Sequence, residues 1–276
     1  MTVGDTAHPV PTGVARARPS GRLRRALDDR RLLLGMGIVT PSPATVELVG
    51  LAGFDYVFID LEHTAINLRE LDGLLRAAEL TDLASIVRVP ENGEAIIRRV
   101  LELGADAVKV PHILDAKGAR TAVQHARFPP EGTRGSAGFV RSAGYKADWP
   151  DWLARSNQAT CVDVMIEDVA AVERLDEILA VPGVDLVSFG QFDYSVSLGA
   201  PGAVDDPRVL DALRAIVAAA EKHGQAVFTI VLPPTSVDAA LALADEGVRL
   251  LTFGNEITHL HTLFHRLADE ARRRLA

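Results

Sequence analysis

The sequence predicts a (β/α)8 TIM barrel, and three observations carry the prediction. Eight short runs are apolar almost without interruption, as parallel strands buried on both faces must be. A longer segment with three- and four-residue apolar spacing separates each run from the next. Glycine recurs where those segments stop, at Gly53, Gly104, Gly183, Gly224 and Gly247, a position that favours the left-handed C-cap conformation. At 276 residues with 48% apolar content, the chain has the length and core of one closed barrel, which typically needs about 250 residues.

The elements follow in order. A short helix is expected over residues 21–30, then a strand over 32–38 and a helix over 44–51. A strand at 56–61 leads to a helix at 68–80, where Leu68, Leu71, Leu74, Leu75 and Ala78 form one apolar stripe. Strands at 84–89 and 107–110 alternate with helices at 94–103 and 116–127. After a long loop between Phe128 and Asp163, which includes a short segment at 149–156, come strands at 161–166, 185–190, 226–232 and 250–254. Their helices are expected at 170–179, 207–222, 236–245 and 258–275. A loop of that length in a compact domain is usually functional, and if it folds back over the C-terminal face it reaches the end where active sites of this fold are built. Its Phe139 and Tyr145 are then candidates either for shaping a pocket there or for packing the loop down.

Residues 1–20 read as a mobile tail and residues 21–276 as a single domain. Pro9, Pro11 and Pro19 break any regular period ahead of the basic run Arg16, Arg18, Arg22, Arg24 and Arg25. No apolar stretch of about 7–15 residues follows those charges, as a secretory leader requires, and none of about 20 marks a membrane span. A net charge of −8 argues against nucleic-acid binding, which needs a basic face. The lone Cys161 excludes an intrachain disulfide and is expected in the core. A soluble, cytoplasmic enzyme is expected.

Active sites of this fold sit at the C-terminal ends of the strands, so charged residues that end apolar runs are the informative ones. They are Asp60, Glu62 and His63 after the second run, Arg88 in the third, Glu167 and Asp168 after the fifth, Gln191, Phe192 and Asp193 after the sixth, and Asn255 and Glu256 after the eighth. Glu167 and Asp193 leave adjacent strands and can converge. An oxygen-only pair of this kind suits Mg2+ or Mn2+, with open positions for water and substrate. Strand-end acids also cap helices, which is the expected role of Asp168 and an alternative one for Asp193.

The ordered segments Gly53-Phe-Asp-Tyr-Val-Phe-Ile-Asp-Leu-Glu-His63, Val87-Arg88, Val110-Pro111, Arg127-Phe-Pro-Pro-Glu-Gly-Thr-Arg-Gly135, Met165-Ile-Glu167, Gly183-Val-Asp185 and Gly190-Gln-Phe-Asp193 resemble the HpcH/HpaI aldolase family of the phosphoenolpyruvate/pyruvate barrels. The resemblance implies a class II aldolase that interconverts a 4-hydroxy-2-oxo acid with pyruvate and an aldehyde through a metal-bound pyruvate enolate. It implies Glu167 and Asp193 as metal ligands, with Mg2+, Mn2+ or Co2+ as the ion. Arg88 is implied as the partner of the keto oxygen and His63 as acid/base. The backbone N–H groups of Phe192 and Asp193 are implied as carboxylate receivers, beside Gln191. Asp60 and Glu62 are implied to order metal-bound water. Glu102 is implied as the acidic partner of His63 from a neighbouring subunit, within a hexamer or trimer of dimers. The residues 258–275 helix, with Leu260, Leu263, Phe264, Leu267 and Ala268 on one stripe, packs on its own barrel or on a neighbour.

Two departures bear on specificity. Many relatives carry Gln at Met165, and Gly-Pro-x-Asp-Leu-Ser where this chain has Gly190-Gln-Phe-Asp-Tyr-Ser195. Three further readings compete with the aldolase. One is a CoA-thioester lyase or a decarboxylating enzyme that adds an oxaloacetate-derived enolate, though the rim lacks a basic cluster for a CoA phosphate. Another is Schiff-base chemistry at Lys109, against which stands an ion pair or an outward-snorkelling side chain. The last is a barrel without activity that serves as a binding protein.

Overall fold

Alternation along each strand sorts the side chains into two layers. In the computed structural model, which describes residues 20–146, 148–232 and 235–275, the strands are β1 (Leu33–Ile38), β2 (Tyr56–Asp60), β3 (Ala84–Arg88), β4 (Ala107–Val110), β5 (Cys161–Ile166), β6 (Leu186–Phe189), β7 (Ala226–Ile230) and β8 (Leu250–Asn255). All neighbours pair in parallel, and β1 pairs with β8 to close the barrel. Val57, Ile59, Val87, Val108, Val162 and Val187 face outward into the layer beneath the helices. Their alternates Tyr56, Phe58, Ala84, Ile86, Ala107, Cys161, Leu186 and Phe228 fill the barrel interior. A side-chain period of two then dictates that Asp60, Arg88, Lys109, Asp163, Met165 and Ser188 also point inward, above that apolar floor. Gly35 makes the floor possible: a Cβ there would lie 2.2 Å from the Tyr56 ring, whose hydroxyl shares a 2.8 Å hydrogen bond with Thr252.

The helices are α1 (Arg22–Asp28), α2 (Pro43–Leu51), α3 (Leu68–Leu80), α4 (Glu94–Glu102), α5 (Ala116–Ala126), α6 (Trp149–Ala159), α7 (Val169–Val172), α8 (Leu175–Leu179), α9 (Gln191–Ser197), α10 (Pro207–His223), α11 (Val237–Asp245) and α12 (Glu256–Leu275). All five predicted stop glycines have positive φ, from +79° to +102°. At Gly247 the packing is as demanding as the backbone, because a Cβ would meet Val217 at 2.6 Å. Among the described residues, no helix is long and apolar enough to cross a membrane.

Two expectations need correction, and one conditional reading is decided. The single helix over residues 170–179 is two helices, α7 and α8. Arg174 breaks the α-helical course at φ −120° and bonds back to Ala171 O, a tighter turn. A helix absent from the expected set, α9, starts directly after β6, so Gln191, Phe192 and Asp193 belong to its first turn and not to a strand end. In its described residues, the segment between Phe128 and Asp163 does not cross the C-terminal face. Arg141 donates to Leu103 O at 2.6 Å and Glu79 Oε2 at 2.5 Å, both at helix ends that feed into strands and hence at the opposite end of the barrel. Phe128 packs against Trp152 of α6 with the rings tilted by 58°, and Asn157 of α6 brackets the Phe128 backbone.

The expected tail lies outside the described residues except for Ser20, whose hydroxyl donates to Asp106 Oδ1 at 2.7 Å. The basic run beyond it pins α1 across the barrel base. Arg22 donates to Leu83 O, and Arg24 pairs with Asp185 at 2.6 Å. Leu23 of α1 joins the interior cluster and closes the base. Arg127 and Asp185, two residues that carried the family resemblance, pair at the same end at 2.8 Å; they hold the barrel together away from its chemistry. Cys161 is fully buried as expected, which pushes its thiol well above the ordinary range.

Candidate active site

At the C-terminal end of the barrel, a buried arginine is held by two carboxylates. Arg88 Nε donates to Asp60 Oδ1 at 2.9 Å and Nη2 to Asp60 Oδ2 at 2.7 Å, the bidentate fork that suits guanidinium and carboxylate. Its Nη1 lies 3.1 Å from Glu62 Oε2. Asp60 also accepts the Glu62 N–H at 2.9 Å, so the carboxylate that clamps Arg88 shapes the turn carrying Glu62 and His63. Burial opposes charge on both members of the pair, but each outweighs that cost for the other. The Asp60 carboxyl is held below its ordinary value and the Arg88 guanidinium above its own. Asp60 thus takes two of the five guanidinium N–H groups, and the contact with Glu62 is an ion pair only.

Glu167 follows β5 and is buried. Burial raises its pKa, the His112 N–H and imidazole oppose the rise, and the neighbouring Asp193 and Glu62 carboxylates add to it. Gly190 is what lets Glu167 sit there, since a Cβ at that position would fall 2.8 Å from Glu167 Cβ and 3.0 Å from Oε2. Asp193 stands in the first turn of α9, half-buried, and Gly190 provides no side chain to cap that turn. The alternative role of Asp193 as a helix cap is therefore not realised. Asp168 is a cap, accepting from Ala170 N at 2.8 Å. Glu256 and Asn255 are structural too. Glu256 accepts from the backbone of Val39 and Thr40, and Asn255 from Thr258.

One residue of this cluster escaped the sequence reading. His112 follows Pro111 just past β4 in a left-handed conformation at φ +55°. Its N–H donates to Glu167 Oε1 at 2.7 Å, while its ring spans the two acids, Nδ1 at 3.1 Å from Glu167 and Nε2 at 3.3 Å from Glu62. The strand-end criterion that singles out Glu167 would have found it one residue beyond Val110-Pro111. His63 lies at the rim, with Nε2 3.6 Å from Glu62 Oε2. Glu102 is not brought to it within the chain. It lines a separate surface depression with Arg69, Arg76, Arg99 and Tyr145.

A cavity of about 360 Å³ is lined by His63, Arg88 and Asp193 near the strand ends and by Lys109, Ser188 and Phe228 deeper in the barrel. Neither Phe139 nor Tyr145 lines it. Tyr145 instead accepts a hydrogen bond from Arg76 at 3.1 Å. Gln191 folds against β7, donating to Ile230 O at 2.6 Å and Thr229 Oγ1 at 3.3 Å.

Lys109 is paired, with a partner inside the barrel instead of on the rim. Its Nζ lies 3.5 Å from Asp163 Oδ2 and over the rings of Phe58 and Phe228 at 4.3 and 2.9 Å. Ser188 donates to the same carboxylate. Burial pushes the Lys109 ammonium down to about 7 and the Asp163 carboxyl up, each partly offset by the other. Removing one partner of such a pair costs more than replacing both. Lys109→Met is expected to lower unfolding stability by about 3 kcal/mol, and Lys109→Met with Asp163→Leu to recover most of it. Urea unfolding of the single and double variants checks this, and equal losses in both would refute it.

Among the described residues, no group of three or more His, Cys, Asp or Glu is arranged to enclose a metal ion. The Glu167–Asp193 pair fits a hard cation in a different manner. Two carboxylates beside an uncapped helix start leave the remaining positions to water and ligand oxygens, the habit of Mg2+.

Comparison with known proteins identifies the family. The HpcH/HpaI aldolase/citrate lyase family model matches residues 34–261. A 5-keto-4-deoxy-D-glucarate aldolase from Klebsiella pneumoniae is 33% identical over 248 residues, 90% of this chain and 95% of that protein. A hydroxypyruvate/pyruvate aldolase from Roseovarius nubinhibens is 31% identical, covering 88% and 93%. The crystal structure of an HpcH/HpaI aldolase/citrate lyase family protein from Burkholderia cenocepacia superposes with a TM-score of 0.85 at 31% identity, over 91% of this chain and 99% of that one. With a clamped arginine and paired carboxylates above a closed barrel, and relatives matched along nearly their whole length, the chain belongs to the HpcH/HpaI aldolase/citrate lyase family, a family of carbon–carbon lyases.

Proposed function

We propose that the protein is a class II pyruvate aldolase, which cleaves or forms a 4-hydroxy-2-oxo acid from pyruvate and an aldehyde. The observation that carries the reading is the shared mouth of the cavity, where Arg88, fixed by Asp60 and Glu62, meets Asp193 and His63 beside buried Glu167. Glu167 and Asp193 would hold a divalent ion, Mg2+ or Mn2+. When bound, that ion supplies Lewis-acid charge to the oxygens of a 2-oxo acid. Arg88 offers its free N–H groups to the keto oxygen as negative charge develops there, the preorganised stabilisation that acts mainly in the transition state. The first-turn N–H groups of Phe192 and Asp193 receive the substrate carboxylate. His63 carries the proton to and from carbon, the general acid–base role that imidazole most often serves.

The site is completed by a second copy of the chain. Glu102 lies away from His63 within one protomer, so its pairing with that imidazole would be made across an interface. The exposed apolar residues Leu260, Leu263, Phe264 and Leu267 of α12 supply a face for such assembly.

In D2O with Mn2+, the enzyme is expected to exchange the methyl protons of pyruvate in the absence of any aldehyde, as followed by proton NMR. Exchange should stop with EDTA and return with excess Mn2+. Exchange that survives complete chelation, with a pyruvate adduct trapped on Lys109 by borohydride, would instead support the Schiff-base route.

A further inference from the structure

Much of the lining of the cavity is apolar. Met165, Phe192, Phe228, Ile230 and Leu232 contribute to it, and Phe192 is 55% exposed. Most of the polar donors among them already have protein partners. Both donors of the Gln191 amide are taken by Ile230 O and Thr229 Oγ1. The Ser188 hydroxyl donates to Asp163, and Lys109 is paired with the same carboxylate. Arg88 is committed to Asp60 and Glu62 and lines the cavity with His63 and Asp193 at the strand ends. A substituent entering beyond those residues therefore meets carbon on most sides. Hydroxyls carried there lose water without gaining partners, which costs free energy, whereas methyl or ring carbons gain contact.

We propose that the acceptor aldehyde carries an apolar substituent, branched aliphatic or aromatic, and that Ile230 and Leu232 set this preference. The inference rests on the aldolase reading above and adds the class of its second substrate. In the forward step a methyl proton of pyruvate leaves to the base. The resulting carbon forms a bond to the aldehyde carbon, and the carbonyl π pair moves to the aldehyde oxygen, which takes a proton. All atoms of both substrates are retained in the 4-hydroxy-2-oxo acid. Met165 and Phe192 bear on this because their side chains present carbon and sulfur where an amide or hydroxyl would offer hydrogen bonds.

The test compares 3-methylbutanal and benzaldehyde with D-glyceraldehyde as acceptors for pyruvate, using the full-length enzyme with Mn2+. The apolar aldehydes are expected to have kcat/KM values about 10- to 100-fold higher, the discrimination an apolar pocket achieves against added hydroxyls. Ile230→Thr combined with Leu232→Asn is expected to lower that ratio at least about tenfold, and Leu232→Met to preserve it. Because a ratio is read, partial misfolding of a variant does not mimic the effect. Equal or greater activity with glyceraldehyde, in enzyme that exchanges pyruvate protons, overturns the acceptor assignment alone. A ratio unmoved by the double variant overturns the role of the two residues. Absence of proton exchange overturns the aldolase reading and this inference together.

Discussion

Glu167→Gln is expected to lower kcat/KM for aldol cleavage by about 10³-fold or more, because loss of a Lewis-acid site forfeits several kcal/mol of transition-state stabilisation. The substitution keeps the size of the side chain and the oxygen that accepts the His112 N–H, bonded at 2.7 Å in the parent. It removes only the charge. Burial, with the Asp193 and Glu62 carboxylates nearby, already disfavours that charge and raises the pKa. The midpoint of thermal unfolding without metal is therefore expected to stay unchanged or rise slightly. Calorimetric titration with Mn2+ separates the two effects: affinity should fall in Glu167→Gln and in Asp193→Asn, while both variants stay folded. Undiminished Mn2+ affinity in Glu167→Gln would remove this carboxylate from the metal site.

Much of this was legible in the chain because the relevant physics is local. Stop glycines mark the helix ends since few other residues adopt the required φ, and near-continuous apolar runs mark strands covered on both faces. The same runs, read with a period of two, place Asp60 and Arg88 inside the barrel, one strand apart and in register. What escaped depends on distance in space. His112 sits one residue beyond a recognisable Val-Pro pair, and nothing local signals that its ring would span Glu62 and Glu167. Lys109 reads as an anomaly in an apolar strand, and only the β4–β5 register, which sets it opposite Asp163, supplies its partner. Helix α9 hides because Gln191-Phe192-Asp193 follows a strand without a side-chain N-cap signal, Gly190 holding that position. The direction of the long loop was not readable either. It is set by Arg141 reaching Leu103 O and Glu79, across 38 and 62 residues of sequence.

Arg88→Lys tests whether the fork or merely the positive charge matters. Arginine makes two parallel hydrogen bonds to Asp60 and a third contact with Glu62, and a single ammonium cannot reproduce that planar arrangement. With lysine, kcat/KM is expected to fall by about 10²- to 10³-fold, the typical cost of losing an oxyanion donor. Stability is expected to fall by about 2–4 kcal/mol, because Asp60 stays buried with a poorer partner. The Asp60 carboxyl is held below its ordinary value of 3.8. Its contribution to stability is therefore present above that value and lost as pH falls through the depressed one, so the Arg88→Lys deficit should be full at pH 7 and shrink below about pH 4. Asp60→Asn should also lower activity, by loosening Arg88 without removing it. Combining the two should cost much less than the sum of the separate losses, since the residues act as one unit. Additive losses, or an Arg88→Lys enzyme within about threefold of the parent, would mean that Asp60 does not work through Arg88. The carboxylate would then have to act on substrate or metal-bound water directly, and the clamp would be a feature of stability alone.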